Sequence, residues 1–277
     1  MSSFLLAVRS GFGFLSTIPV GITMEGFDEL MKRMYLFTFV GSVLGFIIGA
    51  FAFVFEAFFP PQISAILIIV SIYYFTGLNH LDGLADFGDG VTAHGSLEKK
   101  IKAMKDVSLG IGGAAYCCAA LIALYATISA LQKEVVLLDG VAGLNASLLI
   151  FAAMFVSEVS AKQAMLTIAT FGKPIHEGLG SMTMENTTIP KFLIGLVFGG
   201  VVCTLAFSLI GSGTVAILAF ASSIFSALVL LNITNRHFGG VNGDGIGTAN
   251  EIGRLIALIT ITLALGDGLG GITWILL

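Results

Sequence analysis

The sequence predicts an all-α, polytopic membrane helix bundle of about seven transmembrane helices, with its active-site loops on the cytoplasmic face. Of 277 residues, 56% are hydrophobic and only 11% are charged, against about a quarter charged in a soluble domain. The mean hydropathy is +1.00. Apolar runs fall at 34–57, 62–79, 111–131, 142–170, 192–210, 213–235 and 255–277, and several reach the roughly 20 residues that span a bilayer as helix. The lipid bilayer is therefore the first expected partner. A net charge of −4 points to no nucleic-acid partner.

Each element follows from local signals. Met1–Val20 is apolar, carries Arg9 and lacks a small-residue cleavage site, so it reads as a membrane-associated helix that is retained. Lys32 and Arg33 precede the first run, Pro60-Pro61 separates it from the second, and the second ends at Asn79-His80. Breaks are expected near 132–141, at Gly172-Lys173-Pro174, at Pro190-Lys191 and at Gly211-Ser212-Gly213. A glycine-rich loop, Gly239–Gly247, is expected before the last run, which is interrupted by Gly266-Asp267-Gly268. The 35 glycines suit close helix–helix approach in lipid. Cys117, Cys118 and Cys203 form no zinc or disulfide pattern and read as small core residues. Nothing marks a second domain, so 1–277 reads as one integral-membrane unit.

Charge sets the orientation. Lys32, Arg33, Lys99, Lys100, Lys102, Lys105, Lys173, Lys191, Arg236 and Arg254 all fall on one side when crossings are counted, and Lys133 is alone on the other. The basic side is expected in the cytoplasm. It carries 80–110, 171–191 and 236–254, the three polar stretches able to build one site.

The stretch His80-Leu-Asp82-Gly-Leu-Ala-Asp86-Phe-Gly-Asp89-Gly90 holds the densest chemistry. On a helix Asp86 lies about 40° from Asp82, and Asp89 about 20° to the other side. Three carboxylates on one face need a counter-ion, and a hard divalent cation bound with substrate phosphates is the natural one. Asn79 and His80 precede them by one turn, and His80 is a candidate general base. In Glu98–Gly113, Lys102 and Lys105 can clamp phosphates, Asp106 adds a carboxylate and the glycines let backbone N–H groups approach an anion. Lys99 and Lys100 read as headgroup anchors. Lys173-Pro-Ile-His176-Glu177-Gly-Leu-Gly180 is either a substrate-contact loop or a connector. In the glycine-rich stretch Asn242, Asp244 and Glu251 are polar, and Asp244 and Glu251 share a face if the segment is helical. Inside the fourth run Glu158 and Lys162 stand at i, i+4, a candidate ion pair or functional pair. Glu56 and Asp267 read as interfacial.

These motifs resemble the cobalamin synthase, or adenosylcobinamide-GDP ribazoletransferase, family. The matching residues are Phe14-Leu-Ser-Thr-Ile-Pro19-Val, His80 to Gly90, Lys105-Asp106 followed by Leu109-Gly110, Glu177-Gly-Leu-Gly180, and Gly239-Gly-Val-Asn-Gly-Asp244 continuing to Glu251. The resemblance implies a Mg²⁺-dependent membrane enzyme late in cobamide synthesis. Adenosylcobinamide-GDP would be attacked by α-ribazole or its 5′-phosphate, releasing GMP and forming adenosylcobalamin or its phosphate. It implies that Asp82, Asp86, Asp89 and Asp244 hold metal, with His80 or an aspartate as base. Lys102, Lys105, Asp106, His176, Glu177, Asn242, Asp244 and Glu251 would contact substrate. The chain departs from the family pattern twice. Asp106-Val-Ser108-Leu-Gly replaces Asp-Ser-Arg-Leu-Gly, leaving Lys105 or Lys102 in the arginine's place without its bidentate fork. Ser160-Ala-Lys162 stands where relatives carry Ser-Arg. A homo-oligomer is compatible with this class.

Two other classes compete. A CDP-alcohol phosphatidyltransferase also joins membrane helices to an Asp-Gly motif, but its arginine position is taken here by Asp86. A transporter would place functional charges at the midplane of several helices, whereas the acids here cluster in the polar stretches on one side.

Overall fold

The computed structural model describes residues 2–142, 145–208 and 213–266. They form α1 (Ser3–Leu15), α2 (Met24–Met31), α3 (Leu36–Phe58), α4 (Pro61–Thr76), α5 (Asn79–Thr92), α6 (Leu97–Met104), α7 (Ile111–Ala142), α8 (Ala146–Phe171), α9 (Leu179–Asn186), α10 (Ile189–Ser208), α11 (Gly213–Phe238) and α12 (Gly243–Leu265). The helices α3, α7, α8, α10, α11 and α12 are long and apolar enough to cross a membrane. Counting the bent pair α4–α5 as one more brings the total to seven. The chain is a multi-pass membrane protein. Among the described residues there is no strand, only one bridge between Pro174 and Val241.

The bundle is organised around α8, whose middle is buried on all sides. The helix α3 approaches it most closely, because Gly41, Gly45 and Gly49 recur every four residues on the facing side. A Cβ on Gly45 or Gly49 would stand 2.8 Å from the Phe155 carbonyl oxygen or 2.7 Å from that of Phe151. Small residues at this spacing let backbones touch and gain dispersion contacts that lipid does not offer. The helices α10, α11 and α12 close around the rest of α8 and leave outward faces such as Ile194, Val197 and Val201 exposed.

Several expected boundaries move. The run 62–79 is not one helix. It stops at Thr76, Gly77 takes φ 73°, and α5 sets off at 96° to α4. Left-handed backbone favours glycine, which has no Cβ to clash. The aspartates therefore sit on a short helix of their own, separate from α4. The expected break at 132–141 is helical, since α7 runs on to Ala142 with no glycine or proline between Gly113 and Gly140. Pro190 lies in the first turn of α10, where proline costs no hydrogen bond. The expected glycine-rich loop is mostly the start of α12. Asn242 caps it, its Oδ1 accepting from the Gly245 N–H at 3.1 Å. Asp267 and the end of the last run lie outside the described residues.

The amino-terminal segment is the helix α1, capped by Ser2. It packs on α2 and α3, and the Thr17 N–H donates to Phe75 O at 2.9 Å. That bond ties the Phe14–Val20 motif to the end of α4. Of the cysteines, Cys203 is buried as expected, but Cys118 is exposed on α7.

Candidate active site

Three segments distant in sequence converge at one end of the bundle. The helix α5 packs on the first turns of α12 because Gly83 has no side chain. A Cβ there would be 3.1 Å from Asp244 Cα. Thr248 Oγ1 locks the crossing by donating to Asp244 O at 2.7 Å and Gly83 O at 3.2 Å. The loop before α9 is stitched to the loop before α12. Val241 N donates to Lys173 O at 2.7 Å and Ile175 N to Val241 O at 3.0 Å. Gly180 lies directly on the α12 entry, where a Cβ would be 2.5 Å from Gly243 N.

The result is a cavity of about 600 Å³. Its wall includes Asp82 and Asp86 from α5, Lys105 and Asp106 from the loop after α6, His176 and Gly180 around the start of α9, and Asn242, Gly243 and Asp244 at the start of α12. The amino terminus of α12, the positive end of its dipole, opens here. Four carboxylates line the wall with one lysine, so among the described residues acidic side chains outnumber basic ones there. Asp86 is pushed up to about 6, first by burial and then by the charges of Asp244, Asp82 and Asp89. Asp106 is held below the usual carboxylate range by hydrogen bonds from Ser108, whose N–H reaches Oδ1 at 2.9 Å. Asn242 Nδ2 donates to Asp244 Oδ2 at 2.6 Å and fixes that carboxylate's orientation.

The three α5 aspartates do share a helix, but they face different partners. Asp89 does not line the cavity. Its two oxygens accept the N–H groups of Gly110 and Gly113, each at 2.8 Å. It therefore caps the first turn of α7 from a neighbouring helix, satisfying donors that a helix start leaves open. Lys102 faces an outer cleft with Glu98 and Ile101 that adjoins the cavity through Lys105 and Asp106, Glu177 is exposed beside the cavity, and His176 Nδ1 pairs with Glu177 O at 2.9 Å. Among the described residues, no three His, Cys, Asp or Glu side chains come together closely enough to chelate an ion alone.

His80 lines a second cavity of about 220 Å³, deeper and adjoining the first. Burial, then the charges of Lys162 and Arg254, push its imidazole well below the usual value. Its Nδ1 is buried with no partner.

Glu251 sits away from both cavities. It belongs to a closed network inside the membrane, where Oε2 accepts from Arg254 Nη1 at 2.7 Å and from the Tyr73 hydroxyl at 2.9 Å, and Oε1 accepts from Asn250 at 2.9 Å. Arg254 also pairs with Glu158. Lys162 does not pair with Glu158 as its i, i+4 spacing suggested; its Nζ donates to Asn250 Oδ1 at 2.5 Å. Arg254, counted among the basic residues of the polar side, is instead inside the bundle, being 1% exposed. The reason is shared. Once α12 begins at Gly243, Arg254 lies three turns inside the bundle, and its bidentate fork outcompetes the lysine for Glu158. The signal that could have revealed this is the i, i+3 spacing of Glu251 and Arg254.

Comparison with known proteins gives the chain's family. A family model described as cobalamin-5-phosphate synthase matches residues 7–262. An adenosylcobinamide-GDP ribazoletransferase of Methanococcoides burtonii is 59% identical over 99% of both chains. One from Methanosarcina mazei is 54% identical over the whole of both, and one from Thermococcus onnurineus is 32% identical over 93% of this chain and 97% of its own. No solved structure matches.

Proposed function

The chain belongs to the cobalamin-5-phosphate synthase family, membrane transferases of cobalamin biosynthesis, and from that premise we propose its reaction. Adenosylcobinamide-GDP is the donor and α-ribazole, or its 5′-phosphate, the acceptor. A ribazole hydroxyl oxygen attacks the phosphorus that carries the corrinoid ester, the bond from that phosphorus to GMP breaks, and GMP leaves. The product is adenosylcobalamin or its phosphate. The observation that carries this reading is the convergence of the α5, α6–α7 and α9–α12 motifs on one cavity.

Phosphoryl transfer needs positioning and charge neutralisation more than covalent help. The cavity is acidic, so a diphosphate would be repelled unless a cation accompanied it. Asp82 and Asp86 would hold Mg²⁺ together with phosphate oxygens, since this ion takes one or two protein carboxylates and completes its shell from substrate and water. Bound there, the ion would neutralise the diphosphate and the leaving GMP. Lys105 and the α12 amino terminus would hold the remaining phosphate oxygens. Asp244, fixed by Asn242, is the carboxylate that would take the hydroxyl proton. The basic residues beside these loops support a cytoplasmic site in the cell membrane.

The test is GMP release by the purified protein with both substrates. Turnover that stops with EDTA and returns with Mg²⁺ is expected. Absence of GMP release with every combination would overturn the reading. Transport has less support, because the intramembrane charges Glu158, Glu251 and Arg254 close on one another.

A further inference from the structure

We propose that the deeper cavity, lined by Phe14, Phe37, His80, Met165 and Ile246, seats the flat aromatic base of the ribazole acceptor; this rests on the transferase reading above. The cavity gathers side chains from six helices, α1, α3, α5, α8, α9 and α12. Its rings, sulfur and aliphatic groups suit a planar apolar ligand. Its volume of about 220 Å³ is below the range of whole drug-sized ligands. That excludes a corrin macrocycle or a complete nucleotide and leaves room for one fused ring system. No lysine or arginine lines it, and Asp244 is its only charged wall, so a phosphate has no reason to enter.

Two details give the pocket direction. Leu179, Gly180, Gly243 and Asp244 line both cavities. A base held in the deeper one therefore places its sugar at the Asp244 junction, facing the donor. Nothing lies within 4 Å of where a Gly243 Cβ would be, so the shared wall is uncrowded at that residue. His80, 8% exposed, contributes to the wall on the α5 side. The Phe14 motif thereby gains a role as a wall of the acceptor pocket, which its sequence alone does not suggest.

The experiment is two-substrate steady-state kinetics on the full-length protein. Ile246→Phe, which fills the cavity, is expected to raise KM for α-ribazole about tenfold or more while KM for adenosylcobinamide-GDP stays within about twofold. Free benzimidazole is expected to compete with α-ribazole but not with adenosylcobinamide-GDP, and to lose that inhibition in Ile246→Phe. Should Ile246→Phe fail to fold, Ile246→Ala and the benzimidazole competition decide: the smaller side chain should raise KM for α-ribazole about threefold, again without moving the donor. Turnover with no split between the two KM values, or benzimidazole competing with the donor, would overturn the pocket assignment alone. No GMP release from the wild-type protein would overturn the transferase reading and this inference with it.

Discussion

The molecule holds two clusters of carboxylates and cations, and they are in opposite states. Inside the membrane, Glu158 and Glu251 face Arg254, with Tyr73 and Asn250 occupying the remaining oxygens and Lys162 attached through Asn250. Two acids are matched by two cations, and every carboxylate has partners. At the loop end, Asp82, Asp86, Asp106 and Asp244 share the cavity wall with Lys105 as its one lysine among the described residues. Closed networks hold helices together. An open, unbalanced one is held in place by the rest of the fold and has capacity left for a ligand. Charge content alone does not separate the two; the count of unanswered charge does.

Breaking the closed cluster should give the largest effect. Arg254→Met removes the shared partner of two buried carboxylates and should destabilise the protein by about 3–5 kcal/mol, read as a lower unfolding midpoint in detergent. Adding Glu158→Gln and Glu251→Gln to that variant should recover much of the loss, because uncompensated charge causes most of it. No recovery would mean that packing, not charge, holds α8 to α12.

Breaking the open cluster should do the reverse. Asp86→Asn is expected to lower GMP release about 10²–10³-fold, the scale of losing one directed electrostatic contact in a transition state. Its unfolding midpoint should stay the same or rise, since one of the mutually repelling acids is gone. Near-normal turnover in both Asp82→Asn and Asp86→Asn would remove the metal role assigned to them.

Asp89 sharpens the contrast, because it sits on the site helix yet behaves like the buried network. Asp89→Ala should cost about 1–2 kcal/mol of stability through the two N–H groups it satisfies. Its turnover should fall far less than that of Asp86→Asn. The smallest expected effects distinguish the lysines. Lys105→Ala, on the cavity wall, should raise KM for the donor about tenfold, and Lys102→Ala, facing the outer cleft, less than about threefold. Equal effects would mean that the donor extends into that cleft.

Much of this was legible before any coordinates. The period of the aspartates placed Asp82 and Asp86 on one helical face, and α5 bears them. Counting charged loops put 80–110, 171–191 and 236–254 on one side, and the cavity draws on all three. What was not legible depended on competition between partners. Asp89 matches its neighbours in spacing, but only the position of α7 offers it two backbone donors. Glu251 reads as a loop acid until α12 is seen to begin at Gly243. Glu158 and Lys162 have ideal i, i+4 spacing, yet an arginine from another helix reaches the glutamate first.

The sequence by itself determined that this chain is a membrane helix bundle, which stretches are polar and which family it joins. Those properties follow from hydropathy, charge distribution and motif order, all of which are local or additive along the chain. The tertiary structure decided where the chain bends at Gly77, which charges are answered inside the bundle and which are left open, and that Phe14, Phe37 and Ile246 meet around His80. Such outcomes depend on distances between residues far apart in sequence. Pairing in a medium without water turns on angstroms, and spacing along the chain carries no record of them.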